Sequence, residues 1–186
     1  LIYRVMPRNS PESDQKALEL AITACLRNGV TSFQSAGEND SVIELIKKFR
    51  DNGKLSTRMY LMLSGSDHDL VNKYFQSGPS VDKWVNVRSV KLYGDGALGS
   101  RGAWLLEDYS DEAGNRGQPN MIIDSVYSVA RRALKSGFQV NTHAIGDRAN
   151  REILDQYEKA FKENPDAAEN TRFRIEHAQH LHPDDI

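Results

Sequence analysis

Apolar positions along the chain follow two rhythms that take turns. Ala17, Leu18, Ala21, Ile22, Cys25 and Leu26 recur at helical spacing behind Ser10-Pro11-Glu12. That pattern predicts a helix over 11–28, stopped by Asn28-Gly29. Residues 30–34 form a short strand candidate. Val42, Ile43, Leu45, Ile46 and Phe49 then mark an amphipathic helix over 41–50, ended near Asn52-Gly53. The run TRMYLML at 57–63 reads as a buried strand, and 69–76 as a short helix. Further strands are expected at 85–93, 138–143 and 172–177. Helices at 123–135, stopped by Gly137, and at 148–162, with Asp147 as N-cap, separate them.

Strand, helix, strand in repetition is the signature of a parallel sheet covered by helices. Strand starts lie near 30, 57, 85, 138 and 172, close to the ~30 residues of a βαβ unit except between 85 and 138. The excess is a Gly-rich stretch at 94–120 that directly follows a strand's C-terminal end. Loops longer than about 15 residues in compact domains are usually functional or disordered. The C-terminal ends of strands are also where α/β folds carry their chemistry.

Composition removes several classes. The 186 residues carry 24 Lys+Arg against 26 Asp+Glu, a net charge of −2, with 39% hydrophobic and 27% charged residues. This is a globular composition on a chain long enough for one domain with a real core. Near-neutral charge gives no electrostatic case for nucleic acid, and no run of about 20 apolar residues offers a membrane span. Cys25 stands alone, so an intrachain disulfide and a cysteine-built zinc cage are both excluded. Its place in an apolar helical stretch reads as a small buried hydrophobe. The residues from Leu1 onward, with no initiator Met, do not spell a charged-then-apolar signal pattern. The compartment stays open, with a soluble, cytoplasmic protein as the expectation.

Three ionisable residues fall at strand ends: Lys91 in SVKLYGDG, His143 in VNTHAIGD and His177 in RIEHAQH. One histidine so placed is ordinarily structural. Two histidines and a lysine on three parallel strands converge on one rim, and neutral imidazoles there suit a divalent metal. A lysine ammonium has no lone pair to give, so Lys91 serves only after chemical change. A neutral, desolvated lysine can take up carbon dioxide as a carbamate with two oxygens. A Schiff-base lysine is the rival use of the same depressed basicity, and a solvated or salt-bridged lysine is the plain alternative.

Gly94-Asp95-Gly96-Ala97-Leu98-Gly99 spells G-x-G-x-x-G after a strand, the outline of a dinucleotide fingerprint. Its context fails, because Gly102, Gly114, Gly117 and Pro119 interrupt the helix such a motif must open. Glycines that let a loop fold over a site are the better account. Asp95 and Arg101 in this loop are candidates for substrate contact, with structural pairing equally open. His180 and His182 lie past the last strand end and read as loop or helix-start residues, and His68 as a surface residue near a helix start. His182-Pro183-Asp184-Asp185 resembles the first turn of a helix.

The strings VKLYGDGALGSRGA at 90–103, THAIGDRAN at 142–150 and RFRIEHAQHL at 172–181, with NGVTSFQ at 28–34, resemble the amidohydrolase superfamily. Within it they look like the amidohydrolase 3 (YtcJ-like) group, and the match covers most of the chain. The resemblance implies a TIM-type (β/α)8 barrel that hydrolyses amide or related non-peptide C–N bonds of small molecules. It also implies one or two divalent metals, commonly zinc, that activate water. By the same match Lys91 would be the carboxylated, bridging catalytic lysine of the fourth strand. His143 and His177 would be the metal ligands of the fifth and sixth.

The group also has an H-x-H pair on its first strand and an Asp on its eighth. The first histidine here is His68, and the residues up to Ile186 offer no eighth-strand Asp. The chain therefore reads as an internal piece: an α/β, partial barrel over 1–186 holding roughly strands two to six with their helices. Two expectations follow. The isolated chain should be poorly active or inactive, and its open barrel edges should drive self-association. A non-catalytic α/β module is the alternative, followed by a Schiff-base lyase and a dinucleotide reader.

Overall fold

A computed structural model describes residues 10–186. Its order is α1 (Pro11–Arg27), β1 (Ser32–Glu38), α2 (Asp40–Asp51), β2 (Arg58–Ser64), α3 (His68–Ser77), β3 (Ser80–Val81), β4 (Val85–Tyr93), α4 (Asp124–Ser136), β5 (Gln139–Ala144), α5 (Asp147–Glu163), α6 (Pro165–Ala168) and β6 (Arg174–His177). The helices begin where short polar side chains satisfy their free amides. Ser10 Oγ accepts from Ser13 N, Asn39 Oδ1 from Val42 N and Asp67 Oδ1 from Leu70 N. Gly137 closes α4 with a positive φ of 74°.

The sheet runs β1-β2-β4-β5-β6, every neighbouring pair parallel, with β3 a two-residue antiparallel addition to β4. It is strongly curled. Four gaps between strands would put β1 and β6 about 19 Å apart in a flat sheet. Yet the Arg174 guanidinium on β6 donates to Gln34 Oε1 on β1. The Tyr60 hydroxyl on β2 likewise reaches Gln139 Oε1 on β5 at 2.5 Å, across β4. Side chains of that length meet only on the concave face of a half-barrel. The architecture is the expected partial TIM-type barrel.

The convex face holds the core. Met59, Leu61, Leu63, Val85, Val87, Val90, Leu92, Val140 and Ala144 pack there against Ile43, Ile46 and Phe49 of α2, Leu70 and Tyr74 of α3, Val126 and Leu134 of α4, and Ile153 and Tyr157 of α5. The concave face is polar toward the N-terminal ends of the strands. Tyr60, Asn86, Arg88, Gln139 and Arg174 line a cavity of about 600 Å³ there.

Four details differ from the sequence reading. The first strand begins at Ser32, past the expected position 30, because the turn over Asn28 and Gly29 bonds back onto α1 and uses those residues. Cys25 is only half-buried, since α1 flanks the sheet and buries Ile22 alone. Gly146, not Asp147, is the N-cap of α5, and the Asp147 carboxylate instead accepts from the amides of Leu106 and Arg148. The His182 turn is a single 3-10 turn, Pro183–Asp185. No helix among the described residues is long and apolar enough to cross a membrane.

Candidate metal centre

The strand pairing brings Lys91, His143 and His177 to one end of the sheet. β4 and β5 pair Lys91 with Asn141 and Tyr93 with His143, and β5 and β6 pair His143 with Glu176. The His143 and His177 rings meet edge to face with centroids 4.5 Å apart. Tyr93 completes the group, its ring centroid 5.9 Å from that of His143 and 4.1 Å from Lys91 Nζ.

Lys91 reaches the concave face through an irregularity. Leu61 pairs with Val87 but Met62 pairs with Ser89, so Arg88 is an extra residue in β4. Val85 and Val87 lie in the core before the bulge, and Val90 and Leu92 after it. Strict alternation would have set Lys91 on the helix side with Val85 and Val87. The one-residue bulge reverses the faces and turns Lys91 inward.

The lysine is buried, 4% exposed, and forms no ion pair with a carboxylate among the described residues. Its Nζ donates to the Leu92 carbonyl at 3.1 Å and lies over the Tyr93 ring. Burial pushes its pKa down to about 8; Glu176 opposes the shift and Arg174 adds to it. Burial likewise lowers His143 below the ordinary imidazole value, the Gly96 carbonyl opposing and His177 and Lys91 reinforcing. Both shifts run toward the neutral forms that metal or carbon dioxide chemistry requires, and for Lys91 the neutral amine predominates only above about pH 8.

The donor set fits a divalent metal in part. Two imidazoles in contact are suitable nitrogen ligands. Among the described residues no three His, Cys, Asp or Glu side chains converge as a metal cage. A third donor from this cluster must come from Lys91, which fits as a carbamate and not as an amine. Beside it, buried Asn141 has neither amide atom hydrogen-bonded, and Ser89 Oγ below is equally unpartnered. These polar atoms in the layer of Lys91 suit a polar occupant better than an apolar one.

Asp95 and Arg101 both make the structural pairings that the sequence left open beside substrate contact. Asp95 is 1% exposed, and its carboxylate accepts from the amides of Ile145, Gly146 and Trp104. It ties the loop to the exit of β5. Arg101, held at a positive φ of 55°, pairs with Asp111 at 2.6 Å and Glu112 at 2.8 Å within the loop. It lines a cavity of about 570 Å³ with Leu105, Tyr109, Asp147, His180 and His182, beside the imidazole pair rather than on it. The glycine motif opens only one 3-10 turn, Leu98–Ser100, and no dinucleotide-binding helix. Sequence reading did not single out Tyr93, Asn141 or Glu176. Alternation from His143 and Lys91 across paired strands would have found them, had the bulge been legible.

A family model described as "Amidohydrolase family" matches residues 1–186. The chain belongs to the amidohydrolase family. Among curated relatives of this amidohydrolase chain, the putative amidohydrolase YtcJ of Bacillus subtilis is 29% identical over 97% of it. The protein LONG AFTER FAR-RED 3 of Arabidopsis thaliana is 43% identical over 61% of it. A crystal structure of an uncharacterized metal-dependent hydrolase from Pyrococcus furiosus superposes with a TM-score of 0.77 at 30% identity, covering 91% of the chain. The amidohydrolase chain spans 34% of the length of the Bacillus relative and of the Pyrococcus structure, and 19% of the Arabidopsis protein.

Proposed function

We propose that the protein is a metal-dependent hydrolase of amide-type, non-peptide C–N bonds in small molecules. Lys91, His143 and His177 are its metal ligands from this part of the barrel. One observation carries the reading: two imidazoles and a buried lysine, which has no carboxylate ion-pair partner among the described residues, come together at the C-terminal end of the strands. Family membership and the metal-dependent hydrolase of similar structure support it.

When bound, a divalent metal, which we take to be zinc, supplies water acidified toward pH 7 and polarises the scissile carbonyl. The chain's own residues prepare the place. Desolvation lowers the basicity of Lys91 and so favours uptake of carbon dioxide; as a carbamate, Lys91 would hold one or two metals together with His143 and His177. Neutral imidazoles on β5 and β6 offer nitrogen lone pairs. The Tyr93 ring covers the lysine. The folded loop reaches the cluster through the Gly96 carbonyl beside His143, and there it selects the substrate.

The test is metal per chain by elemental mass spectrometry on protein purified without added metal. About one or more zinc ions per chain, lost in Lys91→Ala and His143→Ala, is the expected result. Stoichiometric absence of metal in protein that stays metal-free after zinc addition would instead favour a non-catalytic α/β module. Hydrolysis of amide, formamide, carbamate and cyclic imide substrates should be weak in the isolated 186-residue chain.

A further inference from the structure

We propose that Asp95 is a positioning residue for His143: with the Gly96 carbonyl it holds the imidazole as the Nε2–H tautomer and leaves the Nδ1 lone pair free. The functional meaning rests on the reading of His143 as a metal ligand, whereas the tautomer itself does not.

His143 Nε2 lies 3.3 Å from Asp95 Oδ1 and 3.5 Å from the Gly96 carbonyl oxygen. Both neighbours are acceptors without a hydrogen of their own. A lone pair on Nε2 would face oxygen lone pairs on two sides, so the proton belongs there. A neutral imidazole carries one N–H, and Nδ1 is then the bare nitrogen. Metal-ligating histidines in general donate their other ring nitrogen to a carboxylate or carbonyl, which fixes ring and tautomer together.

The carboxylate is itself held from three directions. Oδ1 accepts from Ile145 N at 3.0 Å, while Oδ2 accepts from Gly146 N at 2.8 Å and Trp104 N at 2.9 Å. Ile145 and Gly146 follow the last residue of β5, two and three positions past His143, and Trp104 comes from the long loop. One side chain therefore clamps the backbone beyond the imidazole, the ring and the loop above it. The clamp has little slack, because a Cβ on Gly146 would come within 2.0 Å of the Trp104 carbonyl oxygen.

Asparagine at this position offers one acceptor oxygen and one amino group. Two amides point at Oδ2, so the oxygen stays there and the amino group faces Ile145 N and His143 Nε2. Nε2 must then accept, and the proton moves to Nδ1. A change of this kind leaves the shape of a site intact and presents the wrong tautomer.

The experiment is nitrogen NMR of metal-free protein carrying isotope-labelled histidine, at alkaline pH where imidazoles are neutral. His143→Gln assigns the resonance among the five histidines. The wild type should show protonated Nε2 and bare Nδ1. Asp95→Asn should exchange them and weaken binding of zinc alone about ten- to a hundredfold. Asn120→Ala removes a loop hydrogen bond to the Asp95 carbonyl at 2.7 Å without touching the carboxylate, and should leave the tautomer and affinity unchanged. An Nδ1–H tautomer in the wild type overturns the proposal, as does an unchanged Nε2–H tautomer in folded Asp95→Asn. If Asp95→Asn does not fold, the wild-type spectrum decides. An Nε2–H wild type that binds no zinc would sink the metal reading while Asp95's hold on the ring stands.

Discussion

The rings of His143 and His177 touch edge to face, centroids 4.5 Å apart, although β5 and β6 pair His143 with Glu176 and His177 with Ala144. By alternation His177 should share the helix side with Ala144, which is fully buried there. It escapes because the chain turns left-handed at that point, with φ of 80° at His177 and 44° at Ala178. Side chains other than glycine are held there at a cost of about 1–3 kcal/mol, and such residues cluster at functional sites.

His177→Gly should therefore separate stability from function. Relief of the strained backbone offsets the lost ring contact, so thermal unfolding should come no lower than in the wild type. Zinc per chain should fall. A large drop in Tm would show that the imidazole is there for packing.

Lys91 gives a pH signature in the unmodified, metal-free protein. Its folded pKa of about 8 lies below the ordinary 10.5. Between those values the unfolded chain binds more protons than the folded one, so stability rises with pH across that window. Below about pH 8 both states hold the proton, and the penalty for a buried ammonium is present in full. Lys91→Met should raise stability at pH 7 and flatten the rise, as read from denaturant midpoints between pH 7 and 10.5.

Gly146→Ala tests the close approach of the loop. The added methyl would collide with the Trp104 carbonyl and its flanking atoms, 2.0 to 2.7 Å away, all of them backbone. The expected cost is about 1–3 kcal/mol of stability, with faster amide exchange at Trp104 and Gly146. Unaltered exchange would mean that the loop yields without effect.

Tyr157→Phe is the counterpart away from the site. The Tyr157 hydroxyl is buried and lies 2.6 Å from Thr142 Oγ1 on the convex side of β5. Removing it leaves the threonine hydroxyl unsatisfied and should cost about 1–3 kcal/mol. Metal content should not change. A loss of metal would tie the convex face to the centre.

β1 and β6 each have one strand neighbour among the described residues. Unpaired edges template further pairing. We therefore expect the isolated chain to self-associate, with light scattering reporting a mass that grows with concentration. A sharp monomer that unfolds cooperatively would count against that expectation.

Hydrophobic periodicity alone placed every long helix and all five parallel strands, because 3.6- and 2-residue repeats are local consequences of burying one face. It also set Lys91, His143 and His177 at strand ends, since in a parallel sheet all C-terminal ends share a rim. Side-chain direction was a different matter. The extra Arg88 in β4 turns Lys91 inward, and the left-handed His177 brings its ring back to His143. Bulges and positive φ angles in residues other than glycine have no local sequence signature. They persist only because neighbouring strands and packed helices over-determine them. The fate of Asp95 was equally non-local, for its three amide donors come from positions 9 to 51 residues away. The sequence by itself determined which residues could meet. Tertiary packing decided which way they face, because register and backbone handedness are properties of strand pairs and not of single strands.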